Sequence, residues 1–124
     1  MILSSLQWVR QQPERALAVK HFIVEATYLV PFEQIRETIP RHRAFLQEGY
    51  DLGLFLCSGP KEPATGGFLV ARADSKSDLE AFFENEPFHA ANLASFTFTE
   101  FQPVKRQGWA EHWFGDVEAA VGQI

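Results

Sequence analysis

From His21 to Val30 apolar and polar residues alternate closely enough for a strand, with Phe22, Val24, Ala26, Tyr28 and Val30 on one face. Pro31 ends it. Helical spacing begins at Phe32 and is interrupted at Ile39-Pro40, because proline disfavours helix in the residue before it and suits the first turn of a new one. The main helix is therefore expected from about Pro40 to Tyr50. After the break at Gly53, LFLCS (Leu54–Ser58) is an almost continuous apolar run. It is expected as a strand buried on both faces and closed by a Gly59-Pro60 turn. The loop KEPATG then leads into GFLVARA (Gly67–Ala73), a second strand that would complete a hairpin. Ser75, with Asp78 three residues on, resembles a capping box, so a helix is predicted from Lys76 to about Glu84 with Leu79, Phe82 and Phe83 inward. Glu86-Pro87-Phe88 reads as a turn, and the alternating Phe and Thr of Ala94–Pro103 as the last strand.

The order is β-α-β-β-α-β. Right-handed crossovers fold it into the split βαβ sheet of an α+β, ferredoxin-like domain, with both helices on one face. The opposite face would be bare, and apolar strand residues there would expose a large patch unless something covered them. A second copy packing sheet on sheet is the expected cover, which predicts a homodimer. The flanks supply an alternative cover, since PERALAV and GDVEAAV are both compatible with helix. The organisation expected is an N-terminal extension over 1–19, compatible with helix, one domain over 20–105 and a C-terminal extension over 106–124.

Composition narrows the class. The chain has 124 residues, 46% apolar and 22% charged, which suits one globular domain, and its twelve Phe supply an aromatic core. A single cysteine, Cys57, rules out an internal disulfide. No apolar stretch approaches the roughly 18 residues of a membrane span, and Met1–Val19 lacks the compact apolar core of a secretory signal, so a cytoplasmic location without membrane attachment is expected. The net charge of −5 argues against a nucleic-acid partner, since phosphate contacts need a basic face.

Candidate chemistry centres on His42. On the wheel of the main helix it shares an arc with Phe45, Leu46 and Gly49, facing the sheet, while Arg41, Arg43, Gln47 and Glu48 fall outside it and are expected in solvent. A histidine on an apolar face is often a core residue held by one hydrogen bond. A partly desolvated imidazole beside a carboxylate can instead move a proton near neutral pH. Glu86 qualifies as that carboxylate by residue type, but spacing alone does not bring it near His42. Ser58-Gly59-Pro60 offers a hydroxyl and backbone groups to a ligand, or a plain hairpin turn. Cys57, inside LFLC, is expected as a small buried hydrophobe rather than a nucleophile. Gly66-Gly67 lacks the following helix and Lys-Ser/Thr of a phosphate loop. His21, His89 and His112 show no metal-ligand spacing, so no metal is expected.

Taken together, His42-Arg43-Ala44-Phe45-Leu46, Ser58-Gly59-Pro60, Gly66-Gly67, Glu86-Pro87-Phe88 and Thr99 to Lys105 resemble the YciI-like (YCII-related) family over about Lys20 to Lys105. The resemblance implies a dimeric α+β barrel and a cofactor-independent active site made by the histidine of the first helix, here His42, and the aspartate of an Asp-Pro-Phe turn. Glu86 stands at the aspartate position, one methylene longer. Some relatives with this fold act as dehydrochlorinases or muconolactone-isomerase-like enzymes, which implies proton transfer next to a carbonyl or enol.

Two functions follow as expectations. One is a small lyase- or isomerase-like enzyme in which His42 and Glu86 are catalytic, while Ser58, Gly59 and Pro60 hold a small organic substrate. The other is a non-catalytic small-molecule-binding or stress-related dimer using the same pocket. An RNA-binding module shares the element order but needs surface aromatics flanked by basic residues on the central strands, which GFLVARA does not supply.

Overall fold

The computed structural model describes residues 19–115. In chain order the elements are β1 (Lys20–Tyr28), α1 (Phe32–Arg36), α2 (Ile39–Asp51), β2 (Phe55–Pro60), β3 (Gly66–Ala73), α3 (Lys76–Phe83), α4 (Pro87–Ala90) and β4 (Ala94–Phe101). A 3-10 turn at Gly108–Ala110 and α5 (Glu111–Phe114) follow. The strands form one sheet in the order β2-β3-β1-β4, every neighbouring pair antiparallel. This is the ferredoxin-like α+β arrangement predicted from the element order. The helix-compatible stretches expected in the two flanks lie almost wholly outside the described residues.

Local chemistry explains the boundaries. Pro40 sits in the first turn of α2, where its missing N–H costs nothing. The helix stops at Gly53, whose φ of 76° is available to glycine without strain. There the N–H of Gly53 donates to the Tyr50 carbonyl and that of Leu54 to the Gly49 carbonyl, the paired bonds of a Schellman motif. Ser75 caps α3 by accepting from the Asp78 N–H at 3.1 Å, as its spacing predicted.

Alternation along β1 and β3 sends Phe22, Val24, Leu69, Ala71 and Ala73 towards α2 and α3, all of them buried. Phe45 of α2 and Phe83 of α3 meet there with ring centroids 5.2 Å apart, and Phe83 reaches Phe55, Phe96 and Phe98 at 5.3–5.7 Å. Such pairs contribute about 0.5–1.5 kcal/mol each beyond their area burial, so this cluster pins both long helices to the sheet.

Four expectations are corrected. The LFLCS strand is not buried on both faces: β2 is an edge strand that pairs only with β3, and it is exposed from Cys57 onward. The Cys57 thiol is accordingly exposed rather than a buried hydrophobe. Gly59-Pro60 does not turn the chain; β2 runs through Pro60, a position tolerated at an edge because no second neighbour needs its N–H. Glu86-Pro87-Phe88 is the start of the short helix α4 rather than a simple turn, since Pro87 is preorganised for a first helical turn.

The sheet face away from the helices is partly covered by the chain itself. The His21 and Phe114 rings lie 5.0 Å apart, and the Arg72 guanidinium sits 3.7 Å above the Trp113 ring. Arg106 braces this segment with two bonds to Glu111, of 2.8 and 2.6 Å. Cys57 and Phe68 remain exposed beyond it.

Candidate functional site

The site lies where α2, α4 and the ends of β1 and β2 converge. Glu86 leaves α3 in an extended conformation and caps α4. Glutamate is not among the favoured capping residues, yet here one carboxylate does two things. Oε2 accepts from the His89 N–H at 2.8 Å, and Oε1 lies 2.7 Å from Nδ1 of His42. The carboxylate is wholly buried, whereas the His42 side chain keeps 23% of its surface. Residues 44 positions apart thus form one hydrogen-bonded pair, which spacing alone could not reveal.

Phe88, two residues beyond Glu86, holds the imidazole from the side. Its ring lies 4.2 Å from that of His42 at an interplanar angle of 16°, and Tyr28 meets it edge-on at 5.9 Å. An ionised carboxylate can only accept, which puts the imidazole proton on Nδ1, facing Glu86, and leaves Nε2 as the nitrogen not bonded to Glu86.

His42 lines a cavity of about 380 Å³. Val24, Leu46, Leu69, Phe83, Phe88 and Phe96 contribute to its apolar wall, and Tyr28, Arg43 and Ser58 join His42 as its polar groups. Ser58, Gly59 and Pro60 all reach it, because the register shift between Phe55 and Cys57 turns Ser58 to the helix side opposite Leu69. The Ser58 hydroxyl shares a 2.7 Å hydrogen bond with the Tyr50 hydroxyl, which positions it. Burial, and after it the negative charge of Glu86, pushes the Tyr28 phenol above the usual tyrosine range. Tyr28 thereby stays a neutral donor at the cavity wall.

The structure brings together His42, Glu86 and Ser58-Gly59-Pro60, and leaves Cys57 apart from them. Tyr28, Phe88 and Arg43 were missed. Tyr28 was legible as one more inward residue on the alternating face of β1, and Phe88 as the apolar neighbour of the capping carboxylate. Arg43 is exposed, as the helical wheel implied, yet its side chain reaches the cavity. Among the described residues no cluster of three His, Cys, Asp or Glu is placed to hold a metal ion, and no helix is long and apolar enough to cross a membrane.

The YCII-related domain matches residues 8–102. The chain belongs to the YCII-related family. No curated protein matches this YCII-related chain in sequence. Among solved structures it is similar to 5-chloro-2-hydroxyhydroquinone dehydrochlorinase from Burkholderia phenoliruptrix, in complex with 2,5-dihydroxybenzoquinone. That likeness has a TM-score of 0.55 and 22% identity, over 72% of this chain and 96% of the other. At that identity it establishes the shared fold.

Proposed function

We propose that this YCII-related protein is a cofactor-independent enzyme that moves a proton on a small organic molecule, in lyase- or isomerase-like chemistry. The observation that carries this reading is the buried Glu86 carboxylate 2.7 Å from Nδ1 of a histidine that itself lines an apolar cavity. Nε2 of His42 takes a proton from a carbon or hydroxyl next to a carbonyl or enol. The same proton then returns at another atom in an isomerisation, or stays on the imidazole while a leaving group departs in an elimination. Glu86 fixes the ring and stabilises the imidazolium that forms, while Ser58 and the backbone of Gly59 and Pro60 hold the substrate. Proton transfer by a positioned group of this kind is worth typically about 10²–10⁴-fold in rate. Hydroxylated or chlorinated aromatics are the compounds to try first, since the structurally similar dehydrochlorinase holds a quinone.

The working unit in this proposal is a cytoplasmic homodimer that buries the sheet face on which Cys57 and Phe68 remain exposed. Light scattering should return twice the 14.1 kDa chain mass, and a stable monomer would remove the assembly. The test of the reaction is turnover of chlorinated and hydroxylated aromatics, read as chloride release or isomerised product, by wild type and His42→Gln. Activity lost in His42→Gln supports the proposal. Binding without turnover by either protein supports instead a non-catalytic ligand-binding dimer, for which the largely apolar lining of the cavity is also suited.

A further inference from the structure

The cavity is electrically one-sided. Glu86 stands behind His42, wholly buried, and is not among the residues that line the space. Among the described residues no carboxylate lines it, and the formally charged side chain that does is Arg43. The neighbours of Arg43 one helical turn away are Ile39, Pro40, Leu46 and Gln47, so α2 offers it no acidic partner at the spacings where helix ion pairs form. Among the described residues no ion pair engages it. In a chain of net charge −5, the charged side chain at the edge of this apolar cavity is nonetheless an arginine, and no described carboxylate pairs with it.

Resting on the enzymatic reading above, we infer that the cavity selects an aromatic acid bound as its anion, with the ring against the apolar wall and the carboxylate on Arg43. The guanidinium fork matches the two oxygens of a carboxylate, which a point charge would not. Arg43 is exposed, so the anion keeps part of its hydration and escapes the cost of full charge burial, while the ring leaves water. Tyr28 and Ser58 add neutral hydroxyls to the lining that can orient further oxygens on the ring. Arg43 and His42 diverge on the helix but line the same cavity, so a ligand gripped by Arg43 is presented to the imidazole.

The test uses the full-length protein with benzoate, benzamide and benzyl alcohol as probes, following the His42 ring resonances by NMR and affinity by calorimetry. Benzoate should move the His42 resonances and bind roughly tenfold more tightly than benzamide, as expected for a partly hydrated charged contact. Arg43→Gln should weaken benzoate roughly tenfold and leave benzamide unchanged, while Arg43→Lys retains part of the preference. Equal affinity for benzoate and benzamide, or undiminished benzoate binding by Arg43→Gln, overturns the inference. If the neutral probes move the His42 ring and benzoate does not, the anion selectivity falls and the cavity reading stands. If none of the three moves it, both fall.

Discussion

Replacing Glu86 by Gln should invert the chemistry of His42 while sparing the fold. The carboxylate presently accepts twice, from the His89 N–H at 2.8 Å and from the His42 side at 2.7 Å. A glutamine amide has one accepting oxygen and one donating NH₂, so it can satisfy only one of these as before. If the oxygen stays on His42, the NH₂ confronts the His89 N–H and leaves a buried donor orphaned, at about 1–3 kcal/mol. If the oxygen keeps the cap, the NH₂ must donate to Nδ1, which then has to give up its proton to Nε2. The second arrangement avoids the orphan and should dominate by roughly tenfold or more, since about 1.4 kcal/mol is a factor of ten. The nitrogen left for chemistry would change from acceptor to donor. We expect proton-transfer activity to fall by about 10²–10⁴-fold. Stability should fall by only about 1–2 kcal/mol, because charge-assisted bonds are exchanged for neutral ones. Nitrogen-15 NMR of the labelled imidazole distinguishes the tautomers directly. The reasoning fails if wild type and Glu86→Gln both carry the proton on Nδ1, or if activity is unchanged by the substitution.

Phe88→Leu keeps most of the buried volume but removes the flat surface under the imidazole, so stability should drop by less than about 1.5 kcal/mol while turnover drops disproportionately; equal losses in both would make Phe88 a packing residue only. Tyr28, resolved by comparing spectrophotometric titrations of wild type and Tyr28→Phe, should ionise above the usual tyrosine range, chiefly through burial, and Glu86→Gln should remove only the smaller, charge-derived part of that shift. The fold prefers the neutral phenol, so its contribution to stability is complete below the unfolded-state value of about 10 and disappears as pH rises through the folded-state value; no difference between Tyr28→Phe and wild type in alkaline unfolding would contradict this. Gly49→Ala would drive a Cβ into the buried Phe55 ring, and after the gain of about 1 kcal/mol in helix propensity we expect a net loss of about 2 kcal/mol by chemical denaturation, which an unchanged midpoint would refute.

Much of the fold was legible because its signals are local. Alternation in β1 and β4, proline at the start of α2, Gly53 at its end and the Ser75 cap each specify an element from within a few residues. The character of β2 was not, because an apolar run reads the same in a central strand and at an edge, and only pairing partners distinguish them. That is why Cys57 was expected inside and lies outside. For the site, the helical wheel placed His42 towards the sheet, but a contact across 44 positions depends on how α2 and α4 pack, which no spacing encodes. The family resemblance supplied Glu86 where the residues alone left it open. Arg43 escaped because a helical wheel sorts residues into core and solvent, and a cavity edge belongs to neither.

In the proposed reaction His42, oriented by Glu86, carries protons to and from a molecule held in the cavity. The most direct test is exchange in D₂O: small hydroxylated aromatics are incubated with wild type and with His42→Gln, and deuterium incorporation at ring carbons is followed by proton NMR. Exchange should be catalysed by wild type and lost in His42→Gln, with binding by thermal shift retained in the variant. Exchange at the same rate in His42→Gln, or bound ligand that never exchanges in wild type, would contradict it.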